Sequence, residues 1–227
     1  RICPHLEPMR SRRFDLIAFD WDGTLFDSTA LIVRSIQSAC RDLDLPVPDD
    51  ERAAYVIGLG LHDALQHAVP GLPAERYPEL GRRYRQHYLA SQHELSLFSG
   101  TLEMLHGLKA RHHLLTVATG KNRRGLDDVL AMTELRGLFD GSRTADETLS
   151  KPHPLMLQEL MAEFGVAPGR TLMIGDTTHD LQMAVNAGVP CVGVSFGAHD
   201  HATFEPFAPL FVAHSTLELH TWLLQNA

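Results

Sequence analysis

The sequence is poor in cysteine and lacks the patterns in which cysteine usually builds a fold. Its 227 residues contain three cysteines, Cys3, Cys40 and Cys191. They lie far apart, no C-x-x-C pair occurs, and their number is odd, so neither a zinc site nor a disulfide framework is indicated. Reduced thiols are typical of cytoplasmic proteins, and we therefore expect a cytoplasmic location.

Long apolar runs and basic runs are missing as well. No segment approaches the ~20 apolar residues that span a bilayer, so we expect no membrane association. Lysine and arginine total 20 against 28 acidic residues, which gives a net charge of -8. An acidic chain without a basic run is poorly suited to nucleic acid, and we expect no such partner. Nothing in the composition indicates an oligomeric state.

What the chain does contain is the pattern of an α/β protein. Hydrophobic residues make up 44% of it, which is enough for one domain with a smaller insertion. Short apolar runs typical of buried parallel strands alternate with helical periodicity. This alternation predicts a doubly wound, Rossmann-like parallel sheet. The predicted strands cover residues 14–19, 114–118, 171–174, 191–194 and 210–213, and the predicted helices between them cover residues 101–111, 124–132, 155–164 and 180–187, before a last helix capped by Ser215 and Glu218.

One segment interrupts the alternation. Residues 28–97 show helical spacing and turn residues but no strand pattern, which predicts a helical cap inserted after the first strand. The catalytic core then comprises residues 14–27 and 98–227. Residues 1–13 are expected to be a disordered N-terminal extension, and residues 1–8, ahead of Met9, are expected to have no function.

Two carboxylates follow the first predicted strand directly. Asp20 and Asp22 stand where open parallel sheets bind ligands, and Gly23 permits a sharp turn there. Phosphoryl transfer requires a nucleophile, a proton donor to the leaving oxygen, and cations. We therefore predict Asp20 as the nucleophile and Asp22 as the acid that later activates water.

Later strand ends supply the other groups that this reaction needs. Asp176 provides a third carboxylate, and Mg²⁺ would offset the repulsion among such groups. Asp180, one helical turn on, is expected to orient the site without binding the metal. Thr119, with the N–H of Gly120, and Lys151 are expected to bind phosphate oxygens.

These segments resemble the four motifs of the haloacid dehalogenase superfamily, and the helical insertion is similar to that family's first class of cap. Over residues 14–226 the chain is similar to the phosphoglycolate phosphatase-like group. The resemblance implies that Mg²⁺ is bound by the side chains of Asp20 and Asp176 and by the backbone carbonyl of Asp22. It also implies that Thr119 and Lys151 hold the phosphoryl group. Where Gly120 stands, Asn is the commoner residue.

The favoured interpretation is a magnesium-dependent phosphatase acting on a small phosphorylated metabolite through an aspartyl-phosphate. Three alternatives remain: a sugar-phosphate mutase similar to β-phosphoglucomutase, a haloacid dehalogenase, and a catalytically silent phosphate-binding protein. The first uses the same two aspartates, the second attacks carbon without Mg²⁺, and the third would show no phosphatase activity.

Substrate choice is expected to depend on the cap. The apolar loop from Gly58 to Leu61 should face the phosphate site, with Leu59 and His62 as candidate specificity residues. It offers no cation for a substrate carboxylate, which argues against phosphoglycolate itself. The remaining polar groups are expected to be structural: Tyr84 and Tyr88 in the cap core, Lys121 at a solvated helix start, and His199 to His201 in a surface loop. The alternative for the helix start is that Lys121 or Arg123 lines the substrate mouth.

Overall fold

The computed structural model describes residues 12–227 of the chain. Of the expected disorder over residues 1–13, residues 1–11 lie outside the described part, and for residues 12 and 13 the expectation was wrong. The Arg12 guanidinium donates to the carbonyl of His112, and the Arg12 carbonyl accepts from Arg170.

The centre of the structure is a six-stranded sheet in the order β3-β2-β1-β4-β5-β6, and every strand pair is parallel. The predicted doubly wound α/β fold is therefore confirmed. The strands are β1 (Leu16–Phe19), β2 (Leu114–Thr119), β3 (Gly141–Thr144), β4 (Thr171–Gly175), β5 (Cys191–Val194) and β6 (Val212–Ala213).

Nine α-helices, counted over the described residues, surround and extend the sheet. Within residues 12–227, no helix combines the length and the apolar character needed to cross a bilayer. The helices are α1 (Thr29–Asp42), α2 (Asp50–Tyr55), α3 (Leu61–Ala68), α4 (Tyr77–Ser91), α5 (Thr101–Ala110), α6 (Arg123–Leu130), α7 (Leu155–Phe164), α8 (Thr178–Ala187) and α9 (Thr216–Asn226), with 3₁₀ turns at Ala74–Arg76, Gln92–Glu94, Thr133–Leu135, Pro168–Arg170, His201–Thr203 and Glu205–Phe207.

Strand β3 was not predicted, and its burial explains why. Its sequence, GSRT, contains no apolar run, and only Thr144 of its four residues is buried. It lies at one edge of the sheet and pairs with β2 alone. Edge strands need not be apolar on both faces, so a search for continuous apolar runs misses them.

The sheet is buried on both faces, as its alternating side chains show. Along β1, Ile17 and Phe19 belong to one apolar cluster and Leu16 and Ala18 to another. Helices α5 and α9 contribute to the first cluster, and α7 and α8 to the second. This arrangement holds β1 and β4 rigidly at the centre of the sheet, where the candidate site begins.

The segment from α1 to α4 is helical throughout and has an apolar cluster of its own. The chain enters and leaves it through two segments that are hydrogen-bonded to each other. The N–H of Asp27 donates to the carbonyl of Ser96, and the N–H of Phe98 donates to the carbonyl of Leu25, both at 2.9 Å. These crossings lie at the predicted limits of the cap, residues 28 and 97; the division into two domains stays a prediction.

Candidate active site

The candidate site lies where the strand order reverses, between β1 and β4. Asp20 follows β1 and Asp176 follows β4, and the N–H of Asp20 donates to the carbonyl of Ile174 at 2.9 Å. Asp20 is 1% exposed and Asp176 is fully buried. The carboxyl ends of adjacent parallel strands thus bring two carboxylates together inside the protein, at the place where such sheets bind ligands.

A third carboxylate completes a buried acidic cluster. One oxygen from each of Asp20, Asp176 and Asp180 lies within 4.8 Å of the other two. Burial and the neighbouring Asp180 raise the pKa of Asp20 well above its usual value. The same two causes, burial first, raise the pKa of Asp176 to about 7. The cluster therefore carries more negative charge than its surroundings readily stabilise.

Lys151 provides part of the compensating charge. Its ammonium donates to Asp20 Oδ1 and to Asp180 Oδ1, both at 2.7 Å, and its side chain is fully buried. Burial opposes its positive charge, but the two carboxylates outweigh burial and raise its pKa. A buried ammonium held between two carboxylates stays charged and has a fixed position.

Asp180 is fixed by the start of helix α8. Thr177 caps this helix by accepting from the N–H of Asp180, and Asp180 Oδ2 accepts in return from the N–H of Thr177 at 3.1 Å and from its hydroxyl at 2.8 Å. This is a reciprocal capping box with Asp at its third helical position. Both oxygens of Asp180 are thus engaged, Oδ2 by the cap and Oδ1 by Lys151.

Asp176 is held by two loops, the one after β1 that carries Asp20 and the one after β5 that carries Ala198. The hydroxyl of Thr24 donates to Asp176 Oδ1 at 2.9 Å, and the N–H of Ala198 donates to Oδ2 at 2.7 Å. Gly23 has φ of 86°, and a side chain there would collide with the Asp176 carboxylate. Glycine is required at this turn both for its conformation and for the close approach.

The remaining oxygen of Asp20 distinguishes it from its neighbours. Asp20 Oδ2 is buried and has no hydrogen-bond partner among the described residues. An unpaired anionic oxygen in a buried site is costly, so its retention indicates a ligand or a reacting atom. Mg²⁺ prefers hard oxygen donors, and the cluster offers carboxylate oxygens with excess negative charge. The residues present therefore fit a magnesium ion, which the carboxylates of Asp20 and Asp176 could hold.

Asp22 lies beside the cluster and is 8% exposed. Its Oδ1 accepts from the hydroxyl of Ser28 at 2.7 Å and lies 3.4 Å from the ammonium of Lys121. Within residues 12–227, Oδ2 has no such partner. The backbone carbonyl of Trp21 accepts from the N–H groups of Leu25 and Phe26, which closes the turn around Asp22. One carboxylate oxygen is thus anchored, and the other has no hydrogen-bond partner within residues 12–227.

The prediction that Lys121 lies at a solvated helix start was wrong. Its side chain is 13% exposed, and its ammonium donates to the hydroxyl of Tyr88 on α4 at 3.2 Å. Burial opposes its charge, but Asp22 and then Tyr88 raise its pKa. Burial also raises the pKa of Tyr88, so its hydroxyl stays neutral and can accept. Tyr88 packs in the cap cluster, as predicted, and also reaches the site.

Thr119 and Gly120 end strand β2 next to the cap loop. The Thr119 hydroxyl is buried and accepts from the N–H of Lys121 at 3.1 Å. The backbone carbonyls of Gly58 and Leu59 lie directly against Gly120. The N–H of Gly60 donates to the Ser150 hydroxyl at 2.9 Å. The loop therefore faces the end of the core that carries Thr119 and Gly120, the residues expected to bind phosphate.

The two cap residues proposed for specificity occupy different surroundings. Leu59 is 9% exposed and belongs to the cap cluster. His62 is exposed, and its ring contacts the edge of Tyr77 at 5.8 Å between centroids. The structure brings Leu59 to the boundary between cap and core, whereas it places His62 at the surface of the cap.

His199 is a second residue whose environment the sequence did not indicate. It was expected in a surface loop but is 8% exposed. Its Nδ1 accepts from the N–H of Thr178 at 3.0 Å, so Nε2 carries the proton and donates to the carbonyl of Tyr55 at 2.9 Å. His179 Nε2 lies 2.7 Å from the same carbonyl. These histidines join α2 to the core. Such a contact between distant segments of the chain cannot be predicted from a local sequence pattern.

A protein-family model described as haloacid dehalogenase-like hydrolase matches residues 17–194. The chain belongs to this family. It is 36% identical over 190 residues to a protein of Dickeya dadantii named a probable phosphatase, IndB, covering 81% of this chain and 82% of that protein. It is 30% identical over 217 residues to a phosphoglycolate phosphatase of Mannheimia succiniciproducens, covering 87% of this chain and 97% of that protein.

Solved structures agree with this assignment. A crystal structure of a predicted phosphoglycolate phosphatase from Haemophilus somnus superposes with a TM-score of 0.81 at 27% identity, covering 92% of this chain and 97% of that one. The chain is thus an enzyme, a phosphoric monoester hydrolase of the phosphoglycolate phosphatase-like group among haloacid dehalogenase-like hydrolases. The motif residues of this hydrolase converge on one site, to which the structure adds Lys121 and Tyr88.

Proposed function

We propose that this hydrolase is a magnesium-dependent phosphatase that cleaves a small phosphate monoester through a phosphorylated Asp20. The observation that carries the proposal is the buried, partnerless Oδ2 of Asp20, whose other oxygen is fixed by Lys151. A carboxylate oriented through one oxygen presents the other as a nucleophile. When bound, Mg²⁺ supplies positive charge that offsets the carboxylates and the phosphoryl oxygens.

The first half of the reaction transfers the phosphoryl group to the enzyme. Asp20 Oδ2 attacks the phosphorus atom, and the bond from phosphorus to the leaving oxygen breaks. Asp22 gives its proton to that oxygen through Oδ2, since Oδ1 is anchored by Ser28. The products of this half are a free alcohol and a phosphorylated Asp20, with Asp22 ionised.

The second half regenerates the enzyme. Asp22, now a carboxylate, takes a proton from a water molecule, and the water oxygen attacks the phosphorus atom. The bond between phosphorus and Asp20 breaks, which restores the Asp20 carboxylate and leaves inorganic phosphate. Lys121, 3.4 Å from Asp22 Oδ1, helps to hold this carboxylate in place beside the reacting groups.

The phosphoryl oxygens would be held by groups at two places in the core. Lys151 contributes a permanent positive charge, and Thr119 with the N–H of Gly120 contributes neutral donors. Asp180 acts on Lys151, because its Oδ1 fixes the ammonium from the side opposite Asp20. Positioned charge of this kind supplies most of the catalysis in phosphoryl transfer.

The substrate is proposed to be a small phosphorylated metabolite. The loop from Gly58 to Gly60 lies against Gly120 and Ser150, so the cap limits the space beside the phosphate site. Phosphoglycolate, small sugar phosphates, nucleoside monophosphates and pyrophosphate form the panel to be assayed with Mg²⁺.

The decisive experiment traps the phosphorylated aspartate. In Asp22→Asn, an aryl phosphate should still phosphorylate Asp20, because its leaving group needs little proton donation, while hydrolysis of the intermediate slows. Rapid quenching and mass spectrometry should then find one added phosphoryl group on the peptide containing Asp20. Asp20→Asn should carry none and should lose at least roughly a thousandfold in turnover. Near wild-type turnover in Asp20→Asn contradicts the mechanism.

A further inference from the structure

Lys121 is a buried cation that the two half-reactions leave without a role of its own in substrate binding. Lys151, the other lysine of the site, is held by Asp20 and Asp180 on the side of the nucleophile, where it is proposed to bind the phosphoryl group. Lys121 instead stands on the side of Asp22, 3.4 Å from its Oδ1. Burying an ammonium is costly, so a second one beside the reacting groups needs an explanation beyond solubility.

The position of Lys121 is set by the cap as well as by the core. Its ammonium donates to the Tyr88 hydroxyl at 3.2 Å and lies 4.8 Å from the centre of the Tyr88 ring. The ring of Tyr84 stacks on Tyr88 with 6.0 Å between centroids. Tyr88, packed against Tyr84, therefore holds the ammonium where cap and core meet, on the side of Asp22.

The distances bring the ammonium within reach of the leaving group. A proton donor stands about 2.6–3.2 Å from the oxygen that it protonates, and Asp22 donates through Oδ2, so the leaving oxygen lies within roughly 9 Å of the Lys121 ammonium. A second charged group two or three bonds beyond that oxygen can extend toward the ammonium. An ammonium has three N–H donors. Among the described residues Tyr88 and Asp22 occupy two directions, which leaves one for the substrate.

We propose that Lys121, held by Tyr88, selects substrates whose leaving group carries a second anionic group, a carboxylate or a second phosphate. This inference rests on the phosphatase function proposed above and adds a specificity-determining residue to it. Lys121 would also be the cation that the cap loop lacks. This anion-binding group belongs to the core, where it directly follows Gly120, and Tyr88 of the cap positions it.

The test compares substrates matched in size but not in charge. Phosphoglycolate and 2-hydroxyethyl phosphate differ chiefly in the carboxylate, and pyrophosphate tests the second phosphate as the anion. Wild type should favour phosphoglycolate or pyrophosphate over 2-hydroxyethyl phosphate. In Lys121→Met, kcat/KM for the favoured anionic substrate should fall about 10- to 100-fold further than for the neutral one, mainly through KM. Lys121→Arg should restore most of this difference, and Tyr88→Phe should lose part of it.

Lys109→Met is the matched control, because Lys109 pairs with Asp140 at the surface and should leave the substrate preference unchanged. Equal losses on charged and neutral substrates in Lys121→Met, or no preference in wild type, overturn the proposal. Binding of phosphoglycolate to Asp20→Asn, measured by calorimetry, tests the anion site at Lys121 separately from the phosphatase mechanism. Weaker binding of phosphoglycolate in the Asp20→Asn, Lys121→Met double variant supports the anion site even if turnover is absent; unchanged binding refutes it.

Discussion

The contact between the cap loop and Gly120 leads to a sharp prediction for Gly120→Ala. A methyl group at this position would lie 2.6 Å from the carbonyl oxygen of Gly58 and closer still to that of Leu59. Ordinary carbon contacts begin at about 3.5 Å, so the loop would have to retreat by roughly 1 Å. The φ of Gly120 is not in the left-handed region. The strain therefore arises from the cap and not from the backbone of the core.

The expected magnitude follows from the cost of overpacking. Such contacts typically cost about 1–3 kcal/mol, which corresponds to roughly 5- to 150-fold in rate if closure is needed at the transition state. The two paired crossings at Asp27 and Phe98 allow the cap to move away and relieve the contact. We therefore expect kcat/KM to fall within this range while the melting temperature changes little.

The assay is kcat/KM on the best substrate of the panel, with Tm measured by calorimetry on the same protein. Gly169→Ala is the matched control, since Gly169 has no atom within 4 Å of a new methyl group and no positive φ. Wild-type kcat/KM in Gly120→Ala would show that the loop does not need to approach the core during turnover. An equal loss in Gly169→Ala would show that the effect is not specific to the contact.

Three further changes test other parts of the site. Asp22→Asn should slow alkyl phosphates more than aryl phosphates, because a poor leaving group needs the proton; equal kcat losses would remove Asp22 from the role of acid. EDTA should abolish activity and Mg²⁺ restore it, with Asp176→Ala needing more Mg²⁺ for half-maximal rate; activity that survives thorough chelation argues against metal ligation by Asp20 and Asp176. Leu59→Ala should change the ranking of substrates by kcat/KM, whereas His62→Ala, at the cap surface, should not; a ranking unchanged by Leu59→Ala would reduce the loop to packing.

Much of the sheet could be predicted because parallel strands buried on both faces leave an unbroken apolar run. β1, β2, β4 and β5 have such runs, and the residues that follow them converge because strand ends meet at one edge of the sheet. β3, with GSRT at an edge, has no such pattern. Local sequence thus predicted the elements whose burial is complete and missed the one whose burial is partial.

Side-chain environment was harder to predict wherever it depends on distant segments. Lys121 follows a polar turn and suggests a solvated helix start, yet Tyr88, far away in the chain, covers it. His199 is buried by Tyr55 in the same way. The last helix shows the same limit locally: Glu218 does accept a backbone N–H, but that of His214 and not that of the capping Ser215. A pattern names the interacting residue types, while the tertiary structure decides the partner.

Several contacts between the cap and the core use main-chain atoms of the cap, and this has an evolutionary consequence. The carbonyl of Tyr55 accepts from two histidines, the N–H of Gly60 donates to Ser150, and the carbonyls of Gly58 and Leu59 rest on Gly120. Such contacts survive most substitutions in the loop, because every residue except proline keeps both backbone groups. Side chains of the cap that face the leaving group can therefore change while the contacts between cap and core are preserved. New substrates can then be acquired without changes to the catalytic residues of the core.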